Sequence, residues 1–532
     1  DIKPKFPVWR NAQDYSASAN GSGDQTSSIQ NAINDDGSGG SREGQGVTKF
    51  PAEVFLPRGT YQLGSSLNLR VGTVITGNPL NPPVLKASAD FSDGTLINGY
   101  DSGNGAPETS FMTLMRNVLY WTHRYRHQPR LHNTDVHITG GAIGIRNSNQ
   151  QVNFKNIYFK ECTTAFDALG GHTALLQGAT FDTVGLGIDR SSNGLGSMVL
   201  LDSDSTNSGT VVKLYDSSND SGNRNSQLLI QNLVHDTENS IVYETGTEFS
   251  TSRPDELLSN GKYFTRSQPT YAEYASDQVV NVKAVDGYTI QGDESTDDVE
   301  SLNANLAGNA ANCKITYFPY GVYTVKDTLK IPVGSHIAGE AWAVISGAGD
   351  AFKDASNPKP VVQVGQPDDF GVIEIQDMRF SVGEILPGAT ILEINAAGTS
   401  PGDVALWNAL VTVGGTAETS IKDVCDRQDT SQCMAAYMMM HLTASSSAYI
   451  ENFWGWTADH NLDGGSAYTV ISTGRGVLVG ATKGTWLTGT GSEHNWLYNY
   501  NFHSEQNVYA GMLQTESPYM QGSGATQTAP AP

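Results

Sequence analysis

The chain has 532 residues, 32 Lys+Arg against 55 Asp+Glu, and a formal charge of −23. That length exceeds one ordinary core and asks for two large domains. The charge excludes a nucleic-acid binder, which needs Lys and Arg to meet phosphate, and no apolar run reaches the roughly 20 residues of a membrane span. Only 16% of residues are charged, so the polarity comes from Ser, Thr, Asn and Gly. This composition suits a β-rich extracellular protein, and a chain opening at Asp1 without Met reads as a processed, secreted product.

In chain order, Gly23-Asp24-Gln25-Thr26 leads into a short helical stretch around Ile29 to Ile33. Val54-Phe55-Leu56-Pro57-Arg58-Gly59-Thr60-Tyr61 then returns as Thr316-Tyr317-Phe318-Pro319-Tyr320-Gly321-Val322-Tyr323. Pro57 and Pro319, Gly72 and Gly334, and Gly77 and Gly339 all keep one offset, 319 − 57 = 262. Gly292-Asp293-Glu294-Ser295-Thr296 echoes the earlier Gly-Asp run and precedes a second helical stretch from Val299 to Leu306. Two copies of one module follow, spanning residues 1–262 and 263–532, with the boundary in the polar stretch from Ser250 to Gln268.

Inside a module, short strands recur about every twenty residues. Ile157-Tyr158-Phe159, Ala179-Thr180-Phe181, Val199-Leu200-Leu201 and Leu228-Leu229-Ile230 are examples, with Gly, Asn and Ser at the corners. That is the pattern of a parallel β-helix, whose coils stack about 4.8 Å apart. The predicted fold class is all-β, two tandem right-handed parallel β-helix domains of the pectate-lyase-like kind.

Four cysteines are too few for a disulfide scaffold at this size. Cys425 and Cys433 flank a polar loop that a disulfide would pin, whereas Cys162 and Cys313 are expected to be buried as small hydrophobes. Asp459, His460 and Asp463 lack a third or fourth partner for a metal, so no metal or cofactor is predicted and turn hydrogen bonds are the expected role.

The richest chemistry lies near the end of the chain. Trp454-Gly455-Trp456-Thr457-Ala458-Asp459-His460 is followed by Ser492-Glu493-His494-Asn495-Trp496-Leu497-Tyr498 and by Gln514-Thr515-Glu516-Ser517-Pro518-Tyr519. Glu493 and Glu516 are 516 − 493 = 23 positions apart, close to one coil, which places them on neighbouring rungs of one face. Two carboxyls so close do not both ionise easily, so one is held protonated near neutral pH. A protonated carboxyl beside a carboxylate is what glycosidic cleavage requires. Pectin cleavage is disfavoured: Asn133-Thr134-Asp135 matches one polygalacturonase motif, but the rest of that series is missing and the acidic chain would repel polygalacturonate.

Tyr317 to Gly339, Asn357 to Gly365, Trp456 to Asp463, Ser492-Glu493-His494-Asn495 and Gln514-Thr515-Glu516 with Pro518-Tyr519 together resemble glycoside hydrolase family 55, the tandem β-helix β-1,3-glucanases. The resemblance implies an inverting hydrolase that releases glucose from the non-reducing end of β-1,3-glucan. It implies Glu516 as general acid and Glu493 in the network that holds the water or passes its proton. It also implies that the attacking water is held from the first domain by the Gln177 side chain and the Ser197 carbonyl. Trp454, Trp456, Asp459, His460, His494, Trp496, Tyr498 and Tyr519 are the expected sugar-binding residues. The expected partner is a neutral β-1,3-glucan and the expected state a monomer, without nucleic acid or membrane. An endo-acting enzyme of the same family, or a glucan-binding protein that has lost catalysis, are the alternatives.

Overall fold

The computed structural model describes residues 6–43, 48–99, 101, 112–121, 126–128, 132–147, 151–169, 171–190, 195–214, 227–235, 247–248, 252–425, 433–464, 467–468 and 470–518. The chain divides into two compact units, Lys3–Ser252 and Arg253–Pro532. Each is a stack of parallel strands.

In the first unit the long sheet runs through Trp9–Asn11, Ala52–Leu56, Thr73–Gly77, Leu114–Arg116, His132–Thr139, Gln151–Lys160, Gly171–Gln177, Leu195–Thr206 and Gln227–His235. A second sheet stacks Ile143–Asn147, Thr164–Ala168, Leu186–Arg190 and Thr210–Leu214. Phe154, Leu176, Leu200 and Ile230 are successive register partners, so the coils lengthen from each rung to the next along this stretch. On the second sheet Ile145, Phe166, Ile188 and Val212 align in the same way, all buried. Phe159 and Phe181 stack one coil apart, with ring centroids at 5.6 Å. Removing these ladders from water is the main stabilising force of such a stack.

The corners are built by left-handed residues. Asp135, Asn156, Gly178, Asp202 and Asn232 all have φ between 51° and 68°. Asn and Asp tolerate that conformation because their short polar side chains bond locally. Here they also bond to one another, Asn156 Nδ2 to Asp135 Oδ1 at 2.9 Å and Asn232 Nδ2 to Asp202 Oδ1 at 2.7 Å. At position 178 an added Cβ would lie 2.6 Å from Asn156 Oδ1, which leaves glycine as the fitting residue.

The second unit repeats the scheme. Its long sheet includes Ile315–Phe318, His336–Gly347, Ile373–Val382, Leu410–Val413, Tyr449–Thr457, Thr485–Glu493 and Leu513–Glu516. Its partner sheet runs from Leu329–Ile331 to Tyr498–Phe502. The corner ladder is Asp377, Asn408, Asn452 and Gly489, again with positive φ and with bonds of 2.9 and 2.7 Å between the first three. The internal repeat has a physical reason. Tyr61 and Tyr323 are buried, and each donates its hydroxyl to the carbonyl four residues back, Pro57 at 3.0 Å and Pro319 at 2.7 Å. Helices Thr26–Asn34 and Val299–Ala311 stand before the repeated strands and bury Ile29 and Ile33 in one, Leu302 and Leu306 in the other.

Residues 253–281 lie as a strap along the second unit's own rungs, which is why they belong to it. Trp486 Nε1 donates to the Leu257 carbonyl and Trp407 Nε1 to that of Arg266, at 3.1 Å each. Phe264 packs on Tyr449 and Trp486, and Gln268 accepts from Asn408 Nδ2 at 3.1 Å. Further on, Tyr274 meets His336, and Val279–Asn281 pairs with Ile315–Phe318. Cys425 and Cys433 are disulfide-bonded with Cα atoms 5.6 Å apart, and Cys162 is buried. Cys313 departs from expectation. It is exposed at φ 52°, in the turn that leaves the second helix, where no core is available to cover it.

Candidate active site

The site lies on the face of the second unit's long sheet opposite the one that buries Val411 and Phe453. Successive residues of a strand point to opposite faces, so i and i+2 share one. Leu410, Trp454, Gly491 and Gln514 form one row across the strands, and Thr412, Trp456, Glu493 and Glu516 the next. The spacing of Glu493 and Glu516 in the chain therefore makes them direct register partners.

Their environments differ. The Glu493 side chain is 11% exposed and that of Glu516 33%. Burial, and then the neighbouring charge of Glu516, push the Glu493 carboxyl up to about 8, although bonds from Gln514 and Trp454 favour its anion. At neutral pH the proton of the pair thus resides on Glu493, the covered partner. Gln514, to which sequence reasoning gave no role, also donates to Glu516 Oε1 at 3.3 Å and so spans both carboxyls. Gly491 makes room for it, since a Cβ there would stand 2.5 Å from Gln514 Oε1.

Two asparagines pin the backbone beneath. Asn495 Nδ2 donates to the Glu493 carbonyl at 3.1 Å, and Asn499 Nδ2 to that of Glu516 at 2.8 Å. The Asn495 N–H donates in turn to Asn499 Oδ1 at 3.0 Å, coupling the two pins. His494 has φ 62°, is 6% exposed, and donates its own N–H to the Glu516 carbonyl at 2.9 Å.

Trp454 and Trp456 are stacked with centroids 5.1 Å apart, and His460 meets Trp456 edge-on at 5.0 Å. Trp456 is only 1% exposed, because Gly415 packs on its ring, so it backs Trp454 instead of offering a face of its own. Trp454 is half-buried. Asp459 accepts from His460 Nδ1 at 2.7 Å. Burial raises the Asp459 pKa, but the His460 bond and the charges of His460 and His494 outweigh it and leave the carboxyl below its ordinary range. Tyr468 fixes this loop by donating to the His460 carbonyl at 3.0 Å. Trp496 sits in the turn after Glu493 with its N–H on the Thr473 carbonyl, and Tyr498 opens a strand of the other sheet opposite Arg475. Tyr519 lies outside the described residues.

The expected water-holding pair in the first unit does not assemble. Gln177 is register partner to Leu201, whereas Ser197 faces Thr173. Four residues of strand, about 13 Å, separate Ser197 from Gln177 along the sheet. A full coil carries Gln177 on to Leu201, so Ser197 falls short of a complete turn.

Among the described residues no group of three or more His, Cys, Asp or Glu could hold a metal ion, and no helix is long and apolar enough to cross a membrane.

Parallel coils with right-handed crossovers, stacked once in each unit, define a pectate-lyase-like β-helix protein. A family model described as rhamnogalacturonase A/epimerase, pectate lyase-like, matches residues 9–133, 122–189 and 279–364. The chain belongs to the family of the glucan endo-1,3-β-glucosidase BGN13.1 of Trichoderma harzianum, to which it is 34% identical over 95% of its own length and 75% of that protein's. It is also 29% identical to a glucan 1,3-β-glucosidase of Cochliobolus carbonum, over 99% of this chain and 77% of the other. Among solved structures, a variant of sacteLam55A from Streptomyces sp. SirexAA-E in complex with glucose superposes with a TM-score of 0.52. At 15% identity, over 97% of this chain and 80% of that one, it is a likeness of fold.

Proposed function

We propose that this chain hydrolyses β-1,3-glucan by an inverting mechanism, with Glu516 as general acid. The observation that carries the reading is the register pairing of the two carboxyls beside the partly exposed Trp454, with burial and the charge of Glu516 raising Glu493 to about 8. The names of the two fungal relatives supply the substrate class. Glu516 is the carboxyl a substrate can reach, and Glu493 is the reserve from which it is recharged. As the glycosidic C–O bond breaks, the Glu516 proton goes to the leaving oxygen. Water adds to the anomeric carbon from the opposite side, and its proton returns to the carboxyls through solvent. Pre-set bonds from Gln514 and Asn499 hold the acid in place without reorganisation during the reaction.

We take the action to be from the chain end, releasing glucose, and the protein to be a secreted monomer; the disulfide fits an oxidising compartment. Endo action is the second reading, favoured by the name of the Trichoderma relative. Laminarin digested by the purified chain and followed by proton NMR from the first minutes separates these readings. Early α-glucose supports inverting exo cleavage, early longer oligosaccharides with an α reducing end support inverting endo cleavage, and early β products overturn inversion.

A further inference from the structure

We infer that His494 is a positioning residue that carries the shared proton between Glu493 and Glu516. This rests on the reading of that pair as the hydrolytic site. The ring is held in one tautomer. Its Nδ1 lies 2.9 Å from the Ser517 carbonyl, which can only accept, so Nδ1 bears the hydrogen. In the neutral ring Nε2 is then a lone-pair acceptor, and it stands 3.9 Å from Glu493 Oε2 and 3.9 Å from Glu516 Oε2. A transfer requires the carboxyl concerned to close about 1 Å to reach hydrogen-bond distance.

The backbone enforces the placement. His494 follows Glu493 directly, has a left-handed φ of 62°, and its N–H is tied to the Glu516 carbonyl. The residue is thereby bonded to both positions that flank the pair's open end, Glu516 through its N–H and Ser517 through Nδ1. Among the described residues, the charged and titratable groups facing it include Glu493 on its own strand, Glu516 on the next, and Asp459 from the loop after Tyr449–Thr457.

The step balances in protons. The O–H bond of Glu493 breaks as Nε2–H forms, giving an imidazolium beside two carboxylates. Nε2–H then breaks as the O–H of Glu516 forms, and the ring is neutral again. The leaving glycosidic oxygen takes that proton, and the one lost by the attacking water restores Glu493. A buried reserve proton thus reaches the exposed carboxyl without passing through bulk water.

The test compares the wild-type chain with His494→Gly and His494→Asn on a laminari-oligosaccharide, recording kcat, KM, pH profile and melting temperature. Glycine and asparagine both accept positive φ, so the backbone is retained. Expected is a kcat lowered about 100-fold in both variants with KM little changed, and a recovery of about tenfold in His494→Gly alone on adding imidazole. The alkaline limb of kcat should also move in both variants. A kcat indistinguishable from wild type overturns the inference. So does a loss that imidazole does not restore and that leaves the pH profile in place, because that marks a merely structural ring. If both variants melt far below wild type, the 15N shifts of His494 in the wild-type chain decide: a ring with hydrogen on Nε2 and not on Nδ1 overturns the inference, and Nδ1–H supports it. Wild-type chain that releases no sugar overturns the hydrolase reading and this one together; active wild type with an indifferent His494 overturns this one alone.

Discussion

Asp182 in the first unit and Glu493 in the second occupy the same place in their coils. Each stands four residues after a glycine in the left-handed corner, Gly178 at φ 68° and Gly489 at φ 61°, on a strand flanked by parallel neighbours. Yet their proton affinities move in opposite directions. Asp182 accepts a short hydrogen bond from the Tyr158 hydroxyl, and Lys160 Nζ lies 4.0 Å away, so its pKa is lowered, chiefly by the tyrosine. Glu493 is covered and faces another carboxylate, so its pKa rises to about 8. The coil provides the position and nothing more. What turns a rung carboxyl into a proton reserve is the removal of water and the like charge on the next rung.

The sharpest way to break this contrast is at Glu516. Glu516→Gln keeps the shape and the bond from Gln514 but removes the acid, and kcat should fall by about 10²–10⁴-fold with an unchanged melting temperature. Retained turnover would remove Glu516 from its assigned role. Next is Glu493→Gln, read as stability against pH. A carboxyl whose folded pKa is raised binds more protons folded than unfolded, so its contribution to stability is fully present below the unfolded value and is lost as pH rises through the folded one. For Glu493 that window runs from the ordinary carboxyl range, about 4.3, to about 8. The glutamine variant removes this slope, so at pH 9, where the whole contribution is lost, it should be more stable than wild type by about 5 kcal/mol while losing activity. Parallel stability curves for the two proteins between pH 5 and pH 9 would show that Glu493 is not the carboxyl that holds the proton.

How far the sequence discloses this depends on local coil length. The interval between Glu493 and Glu516 is readable as a contact because it equals the coil that joins their strands. Gln177 and Ser197, paired only by the family resemblance, have no such interval, because a full coil there carries Gln177 beyond Ser197 to Leu201. The internal repeat is readable because its residues have fixed backbone and hydroxyl duties, such as the Tyr61 and Tyr323 bonds to their prolines. Which tryptophan keeps some exposure is not readable, since Trp456 is covered by Gly415, far upstream in the chain. Nor is the site of the proton, because relative burial of two carboxyls belongs to the assembled coils. The bridging role of Gln514, quoted above only as part of a motif, is hidden for a similar reason: an amide two residues before an acid has no signature until the register aligns it with Gly491.

That alignment gives a third, smaller test. Gly491→Ala asks whether the amide bridge matters, for the new Cβ meets Gln514 Oε1 while the backbone needs no special φ. Displacing Gln514 removes one donor from each carboxyl, and kcat should fall about tenfold, or about 1–2 kcal/mol in the barrier. Stability should fall by a similar amount from crowding. An alanine variant with wild-type kcat would mean the bridge is incidental.

The smallest effect is the one that closes the comparison. Asp182→Asn changes the carboxyl at the equivalent rung of the first unit. Its folded pKa is depressed, so its contribution is present above the unfolded value and disappears as pH falls through the folded one. At neutral pH the substitution should therefore cost stability, the reverse of Glu493→Gln. Asp182 stays partly open to solvent, and its partners Tyr158 and Lys160 are screened with it, so the loss should stay within about 0.5 kcal/mol. Once the pH is low enough to protonate Asp182 in the folded chain, the variant and wild type should melt together, and glucan hydrolysis should be untouched throughout. A stabilising Asp182→Asn at neutral pH would mean that the rung position itself raises a carboxyl's pKa, and burial would then lose its place as the cause.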